Sequence, residues 1–134
     1  MKTVLVVDDE PSVADALVAA LRGAGYMAIA AYEGAQATRL LAEERIDVVV
    51  ADLVMPGMDG ASLLRWIRET PGMRGLPVIL MSMLSEERVW ALCSEYSRFL
   101  HKPFAMPMLF EAIEDVTRPT PSSGPARSVR RFVH

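Results

Sequence analysis

Five side chains that could carry out phosphoryl chemistry stand at the ends of four apolar runs. Asp8 and Asp9 follow the run KTVLVV, Asp52 follows DVVVA, Ser82 follows PVILM, and Lys102 follows RFLH. If these runs are neighbouring parallel strands, the five side chains meet at one edge of a sheet, where the carboxyl ends of the strands lie together. Three carboxylates, a hydroxyl and an ammonium in one pocket could bind Mg²⁺ and accept a phosphoryl group on a carboxylate.

The three carboxylates require a cation. At an effective dielectric constant of about 20 and a separation of about 5 Å, each pair of carboxylates repels by roughly 3 kcal/mol. Neither His nor Cys adjoins these acids in the sequence, and hard oxygen ligands favour Mg²⁺ over Zn²⁺. Asp52 is the best candidate nucleophile. Lys102 would supply positive charge to the phosphoryl oxygens, and Ser82 a hydroxyl donor.

Each residue taken alone also has a purely structural interpretation. Two acids before a helix often only cap it, an Asp before a turn is commonly a turn residue, and a single Ser or Lys-Pro pair indicates nothing. The functional interpretation depends on their coincidence at four successive strand ends.

The elements that would position these side chains alternate along the chain. β-branched and apolar runs predict strands, and apolar residues at helical spacing predict helices. The predicted strands are 4–7, 27–32, 47–51, 78–81 and 98–101, and the predicted helices are 11–23, 34–44, 61–69, 85–96 and 106–117. This alternation predicts an α/β fold with a parallel sheet and helices on both faces.

Composition limits the remaining possibilities. The 134 residues carry a net charge of −3 and predict one domain over 1–117 followed by a Pro/Ser/Arg-rich tail over 118–134, either flexible or docked through Phe132 and Val133. The tail holds four arginines and no acid, so the remainder carries −7, which argues against nucleic-acid binding by the domain.

The cellular environment is expected to be the cytoplasm. No apolar run approaches the roughly 20 residues that a bilayer span requires, so no membrane association is expected, and the N-terminus lacks the pattern of a secretory signal. The single Cys93 excludes an internal disulfide and a multi-cysteine metal site. It is expected to be a small buried residue of the fourth helix.

Four motifs together resemble the receiver domain of bacterial two-component response regulators. They are VLVVDDEP (4–11), DVVVADLVMPGMDG (47–60), PVILMS (77–82) and FLHKPF (99–104). The resemblance covers about residues 2–117. It implies a flavodoxin-like, doubly wound, five-stranded parallel sheet of order 2-1-3-4-5 with five helices.

The resemblance also implies roles for individual residues. Asp52 is similar to the family's phosphoacceptor and Lys102 to its phosphate-pairing lysine. Asp9, Asp52 and the carbonyl of Val54 correspond to ligands of Mg²⁺, with Asp8 acting through water. The Lys102–Pro103 peptide bond is expected to be cis.

A switch and a set of partners follow from the same resemblance. Ser82 and Phe99 match the family's switch pair, which would alter the surface of the fourth helix, fifth strand and fifth helix after phosphorylation. The implied partners are a sensor histidine kinase, and a downstream protein target or phosphotransfer protein. A phosphorylation-dependent homodimer is a further expectation.

Two features depart from the family pattern. The interval from Ser82 to Lys102 is about two residues shorter than is usual in the family. The small Gly-Ala pair that usually precedes the fifth strand is absent, and CSEYSR (93–98) stands there instead. The fourth helix is therefore expected to be shortened or irregular. The pocket rim carries apolar Val54, Met83 and Leu84, which predicts slow self-dephosphorylation because water lacks an orienting group.

Other functions stay open at this stage. The chain could be a phosphorelay intermediate or phosphate sink that passes phosphate to a histidine phosphotransfer protein, or a constitutive protein-interaction module rather than a phosphoacceptor. A phosphatase with an Asp nucleophile would require a second Asp at the position that Val54 occupies. A flavin-binding protein would require a Ser/Thr/Gly-rich phosphate-binding loop after the first strand, where this chain has the acidic sequence DDEPS.

Overall fold

The computed structural model describes residues 1–119, in which five strands and five helices alternate. The strands are β1 Thr3–Val7, β2 Met27–Ala31, β3 Val48–Asp52, β4 Val78–Ser82 and β5 Arg98–His101. The helices are α1 Pro11–Gly23, α2 Gly34–Glu43, α3 Gly60–Glu69, α4 Glu86–Leu92 and α5 Met106–Thr117. The predicted α/β architecture is confirmed. The predicted tail lies outside the described residues from position 120 onward, as do Phe132 and Val133.

The strands form one parallel sheet of order β2-β1-β3-β4-β5. Side chains of β1 alternate between its two faces, as the twofold periodicity of a strand requires. Val4 and Val6 pack with α1 and α5, whereas Leu5 and Val7 pack with α2 and α3. Because both faces are covered, β1, β3 and β4 are almost entirely apolar. Their polar residues are confined to the strand ends.

The fourth helix departs from its predicted bounds of 85–96. Helix α4 ends at Leu92, and the backbone is extended at Cys93, with φ −161° and ψ 144°. The expected shortening is therefore confirmed, but Cys93 lies outside the helix and is half-buried. Burial raises the pKa of its thiol. Residues 93–97, here called the connector, lead from α4 to β5.

Hydrogen bonds fix the end of the connector to neighbouring elements. The Arg68 guanidinium donates to the carbonyl of Glu95 at 2.9 Å and to that of Leu76 at 2.7 Å. Ser97 donates its amide to the Val78 carbonyl at 2.7 Å, and its hydroxyl accepts from the Val78 amide at 3.0 Å. These contacts fix the position of the connector beside β4, although only its first residue, Cys93, still makes a helical hydrogen bond, from its amide to the Val89 carbonyl at 2.9 Å.

A hydroxyl–carboxylate hydrogen bond joins the region before β2 to α5. The Tyr26 hydroxyl donates to Glu114 at 2.6 Å, and Lys2 Nζ lies 3.1 Å from the other oxygen of Glu114. Burial and this hydrogen bond raise the pKa of Tyr26 to about 12, and the same bond lowers the pKa of Glu114. Both groups therefore keep the protonation states that the bond requires across the neutral range.

The turn between β3 and α3 brings the helix close to the strand end. Gly57 has a φ of +70°, which a residue without a Cβ adopts at low cost. Asp59 caps α3 by accepting from the Ser62 amide at 2.9 Å. A Cβ added to Gly60 would lie 2.6 Å from the carbonyl oxygen of Asp52 and 2.7 Å from Cα of Leu53. The absence of a side chain at Gly60 thus sets how closely α3 approaches Asp52.

No helix within residues 1–119 has both the length and the apolar composition needed to cross a membrane.

Gly60→Ala is expected to destabilise the fold by about 1–3 kcal/mol, because backbone atoms on the opposing side have little freedom to move away. Gly23→Ala is the matched control. It ends α1, and nothing lies within 4 Å of its added Cβ. Urea unfolding of both variants measures the difference. Equal stabilities would contradict the close-approach argument.

Candidate functional site

Four of the five predicted site side chains form one cluster at the carboxyl edge of the sheet. Asp8, Asp9 and Asp52 each present a carboxylate oxygen, and the three oxygens lie within 4.8 Å of one another. Lys102 Nζ lies 3.4 Å from an Asp8 oxygen and 3.6 Å from an Asp52 oxygen. The sequence-based prediction that these strand ends converge is therefore confirmed by the geometry.

Local backbone geometry explains how two adjacent acids both belong to this cluster. Asp8 follows the last residue of β1, and its amide still donates to the Ala31 carbonyl of β2 at 3.1 Å. Its Oδ1 accepts from the Glu10 amide at 3.0 Å, which turns the chain toward Pro11 at the start of α1. The chain is no longer a strand at Asp9, so the usual alternation of side chains does not apply.

Burial and neighbouring charges of both signs set the electrostatics of the cluster. Asp8 is fully buried and Asp52 nearly so. Burial raises the pKa of Asp52, as do the charges of Asp8 and Asp9, while Lys102 and a hydrogen bond from the Val54 amide act in the opposite direction. A single ammonium faces three carboxylates, so the ionised cluster has an excess charge of −2.

The donor set suits a hard divalent cation. The three oxygen donors are carboxylates, the ligand type that Mg²⁺ prefers. Carboxylates this close together repel, and a cation between them removes that repulsion. The residues present therefore fit a magnesium ion.

Ser82 lies at the next strand end, where it is buried as the last residue of β4. Its Oγ accepts from the Leu84 amide at 3.0 Å. The Ser82 carbonyl in turn accepts from the Lys102 amide at 2.8 Å. The Lys102–Pro103 bond is cis. The chain bearing Lys102 is thus fixed directly to the strand end bearing Ser82.

Phe99 lies in β5 and is half-buried. Its ring centroid lies 6.4 Å from those of both Tyr96 and His101. Neither neighbour was predicted from the sequence to be a functional residue. The absence of the small pair before β5 was the one available signal for Tyr96, whereas nothing in the local sequence indicated His101.

The rim of the pocket is apolar. Val54 has 65% of its surface exposed and Met83 has 75%, while Leu84 is half-buried. Val54 stands two residues after Asp52, and the other two directly follow Ser82. The predicted apolar residues therefore lie beside the acidic cluster.

The family model for the response regulator receiver domain matches residues 4–114. The chain therefore belongs to the response regulator receiver domain family, with the flavodoxin-like fold of its members. Solved structures agree. A signal receiver domain of a signal transduction histidine kinase from Syntrophus aciditrophicus superposes with a TM-score of 0.81 at 30% identity, covering 93% of this chain and 99% of that one.

A second solved structure is the response regulator TrrA from Thermotoga maritima, determined in complex with Mg²⁺-BeF. It superposes with a TM-score of 0.78 at 28% identity, covering 87% of this chain and 99% of that chain.

Curated relatives are longer proteins. Response regulator PleD from Caulobacter vibrioides is 35% identical over 117 residues, which are 86% of this chain and 26% of PleD. Response regulator MprA from Mycobacterium sp. strain KMS is 35% identical over 133 residues, 97% of this chain and 57% of MprA. The chain thus spans between a quarter and three fifths of these relatives.

Asp52→Asn is expected to raise the free energy of unfolding in metal-free buffer by about 1–2 kcal/mol, because it removes one of three mutually repelling charges. Adding Mg²⁺ should reduce this difference in the free energy of unfolding, because the ion stabilises the wild type. Glu43→Gln, an exposed carboxylate of α2, is the control and should match the wild type. Urea unfolding in EDTA provides the measurement, and a destabilised Asp52→Asn variant would contradict this account.

Proposed function

We propose that the receiver unit, residues 1–117, accepts a phosphoryl group on Asp52 from a sensor histidine kinase and thereby changes its partner-binding surface. The observation that carries the proposal is the cluster of Asp52 with two further carboxylates and the Lys102 ammonium 3.6 Å away. A structural role alone does not require three acids around one partly buried lysine. The TrrA complex with Mg²⁺-BeF supports the same conclusion for a related fold.

In this proposal Asp9, Asp52 and the Val54 carbonyl would hold Mg²⁺, and Asp8 would assist through water. The bound ion would neutralise charge on the phosphoryl oxygens. An oxygen of Asp52 attacks phosphorus, the bond from phosphorus to the donor's histidine nitrogen breaks, and an acyl phosphate forms. Lys102 pairs with a phosphoryl oxygen, and the donor leaves as neutral imidazole after taking up a proton.

Ser82 and Phe99 would convert this local change into a change of surface. Phosphoryl oxygens offer new acceptors to the Ser82 hydroxyl, which at present accepts from the Leu84 amide. Movement of Ser82 toward Asp52 leaves space that the half-buried Phe99 ring can enter. The phosphoryl group can shift the equilibrium between the two states only by the contacts that it makes differently in each, which are expected to amount to about 1–3 kcal/mol.

Acetyl phosphate with Mg²⁺ is expected to add one phosphoryl group to the wild-type chain and none to Asp52→Asn. Intact mass followed over time measures the addition, and omission of Mg²⁺ should abolish it. Failure of wild type to gain mass from either acetyl phosphate or a phosphorylated histidine kinase would contradict the proposal and favour a constitutive interaction module. Transfer from phosphorylated Asp52 back to a histidine domain would indicate a relay or sink.

Slow self-dephosphorylation is expected because the apolar rim offers no side chain to orient water. Val54→Asn combined with Leu84→Glu should shorten the lifetime of the phosphorylated form about tenfold or more by supplying polar groups there. The apolar pair Val54→Ile with Leu84→Met is the matched control and should retain the wild-type lifetime. Decay of the phosphorylated mass after removal of the donor gives the lifetimes. An unchanged lifetime in the polar variant would rule out the rim as its cause.

A further inference from the structure

Tyr96 occupies an unusual place for its size. It stands in the connector and is fully buried beneath α4. Its hydroxyl donates to a carboxylate oxygen of Glu86, in the first turn of α4, at 2.9 Å. Its ring meets Trp90 edge-on, with centroids 5.8 Å apart. One side chain from the connector thus contacts both the first turn and the middle of the seven-residue helix.

The connector end that carries Tyr96 is itself fixed. Arg68 bonds the carbonyl of Glu95, and Ser97 exchanges two hydrogen bonds with Val78. Tyr96 therefore links α4 to a part of the molecule that belongs to the α3 and β4 framework. A movement of the first turn of α4 away from this framework must lengthen the bond from Tyr96 to Glu86.

The loop between Ser82 and α4 has a second attachment. His101 Nε2 lies 2.9 Å from the Met83 carbonyl, and because a carbonyl only accepts, this nitrogen carries the proton. Tyr96 and His101 both lie near Phe99, each with its ring centroid 6.4 Å from that of the Phe99 ring. The loop that follows Ser82 is thus held at its start, through Met83, and just beyond its end, through Glu86, by side chains whose rings lie near Phe99.

We propose that Tyr96 and His101 form a latch that holds the loop at 83–85 and the first turn of α4 in the resting position and so opposes switching. Both bonds attach to the segment that directly follows Ser82. Movement of Ser82 toward Asp52 pulls this segment away from β5 and breaks or weakens the latch. Tyr96 and His101 are positioning residues, since neither touches the acidic cluster.

The effect on ligand affinity rests on the function proposed above. If the Tyr96 hydroxyl bond exists only in the resting state, its removal raises the fraction of switched molecules and tightens the binding of a phosphoryl analogue by the same factor. A net hydrogen-bond contribution of ordinary size corresponds to about three- to tenfold. The phosphoacceptor chemistry of the bound state is left intact.

The test compares the Kd for beryllofluoride with Mg²⁺ in wild type, Tyr96→Phe and Tyr26→Phe. Tyr96→Phe keeps the buried ring and should lower the Kd about three- to tenfold. Tyr26→Phe removes a hydroxyl–carboxylate bond of the same kind, to Glu114, and should leave the Kd unchanged. Glu86→Gln retains an acceptor for Tyr96 and should stay near wild type, whereas His101→Phe should tighten binding as Tyr96→Phe does.

Hydrogen exchange provides an independent measurement. Amides of residues 83–92 should exchange faster in Tyr96→Phe than in wild type, and those of α1 and α5 should not. If wild type binds beryllofluoride and the Kd of Tyr96→Phe is unchanged or raised, the latch is overturned, whereas the proposed function is not contradicted. If wild type does not bind beryllofluoride, the proposed function fails. The latch is then tested by hydrogen exchange alone, and unchanged exchange rates of amides 83–92 in Tyr96→Phe would overturn it.

Discussion

The repulsion among three carboxylates at one sheet edge is the constraint on which the rest of the site depends. Asp8, Asp9 and Asp52 each place a carboxylate oxygen within 4.8 Å of the others, and Lys102 lies within 4 Å of two of these residues. One lysine cannot neutralise three acids, so the folded state retains unfavourable charge that a divalent cation or an incoming phosphoryl–metal pair would relieve. The cluster is therefore a cost to the fold and is best understood as a binding site.

The fold tolerates the unfavourable free energy of this repulsion because the strands beneath the cluster are almost completely buried. β1, β3 and β4 present apolar side chains to two separate hydrophobic clusters, one on each face. Hydrophobic burial of this extent fixes the strand register, and a slip of one residue would turn every side chain to the opposite face. The parallel register also places Asp52 beside Met81, one residue before Ser82. The positions of the acids are thus consequences of packing elsewhere.

Most of this arrangement could be predicted from the sequence because it depends on local patterns. Continuous β-branched runs specified the strands, and a polar residue at the end of each run specified the site. The α4 region could be predicted only in part: the short interval between Ser82 and Lys102 indicated a shortened helix, but not where it ends. Val89, Leu92, Cys93 and Tyr96 follow helical spacing, which predicted a helix to residue 96. The helix instead ends at Leu92, and the Tyr96 hydroxyl beyond it reaches back to Glu86, ten residues earlier.

Helix α4 ends early because few residues are available between Ser82 and Lys102. A chain in extended conformation advances about 3.3 Å per residue, against 1.5 Å in a helix. With about two residues fewer between Ser82 and Lys102 than the family pattern has, the chain must leave the helix early to reach the start of β5. Extending residues 93–97 gains that distance but removes the last turn of the helix and the apolar surface it would bury. The buried Tyr96 ring fills that space, and its hydroxyl reaches back to Glu86. The missing small pair before β5 and the shortened helix are therefore two consequences of the same short chain segment, which includes part of the surface proposed above to change after phosphorylation.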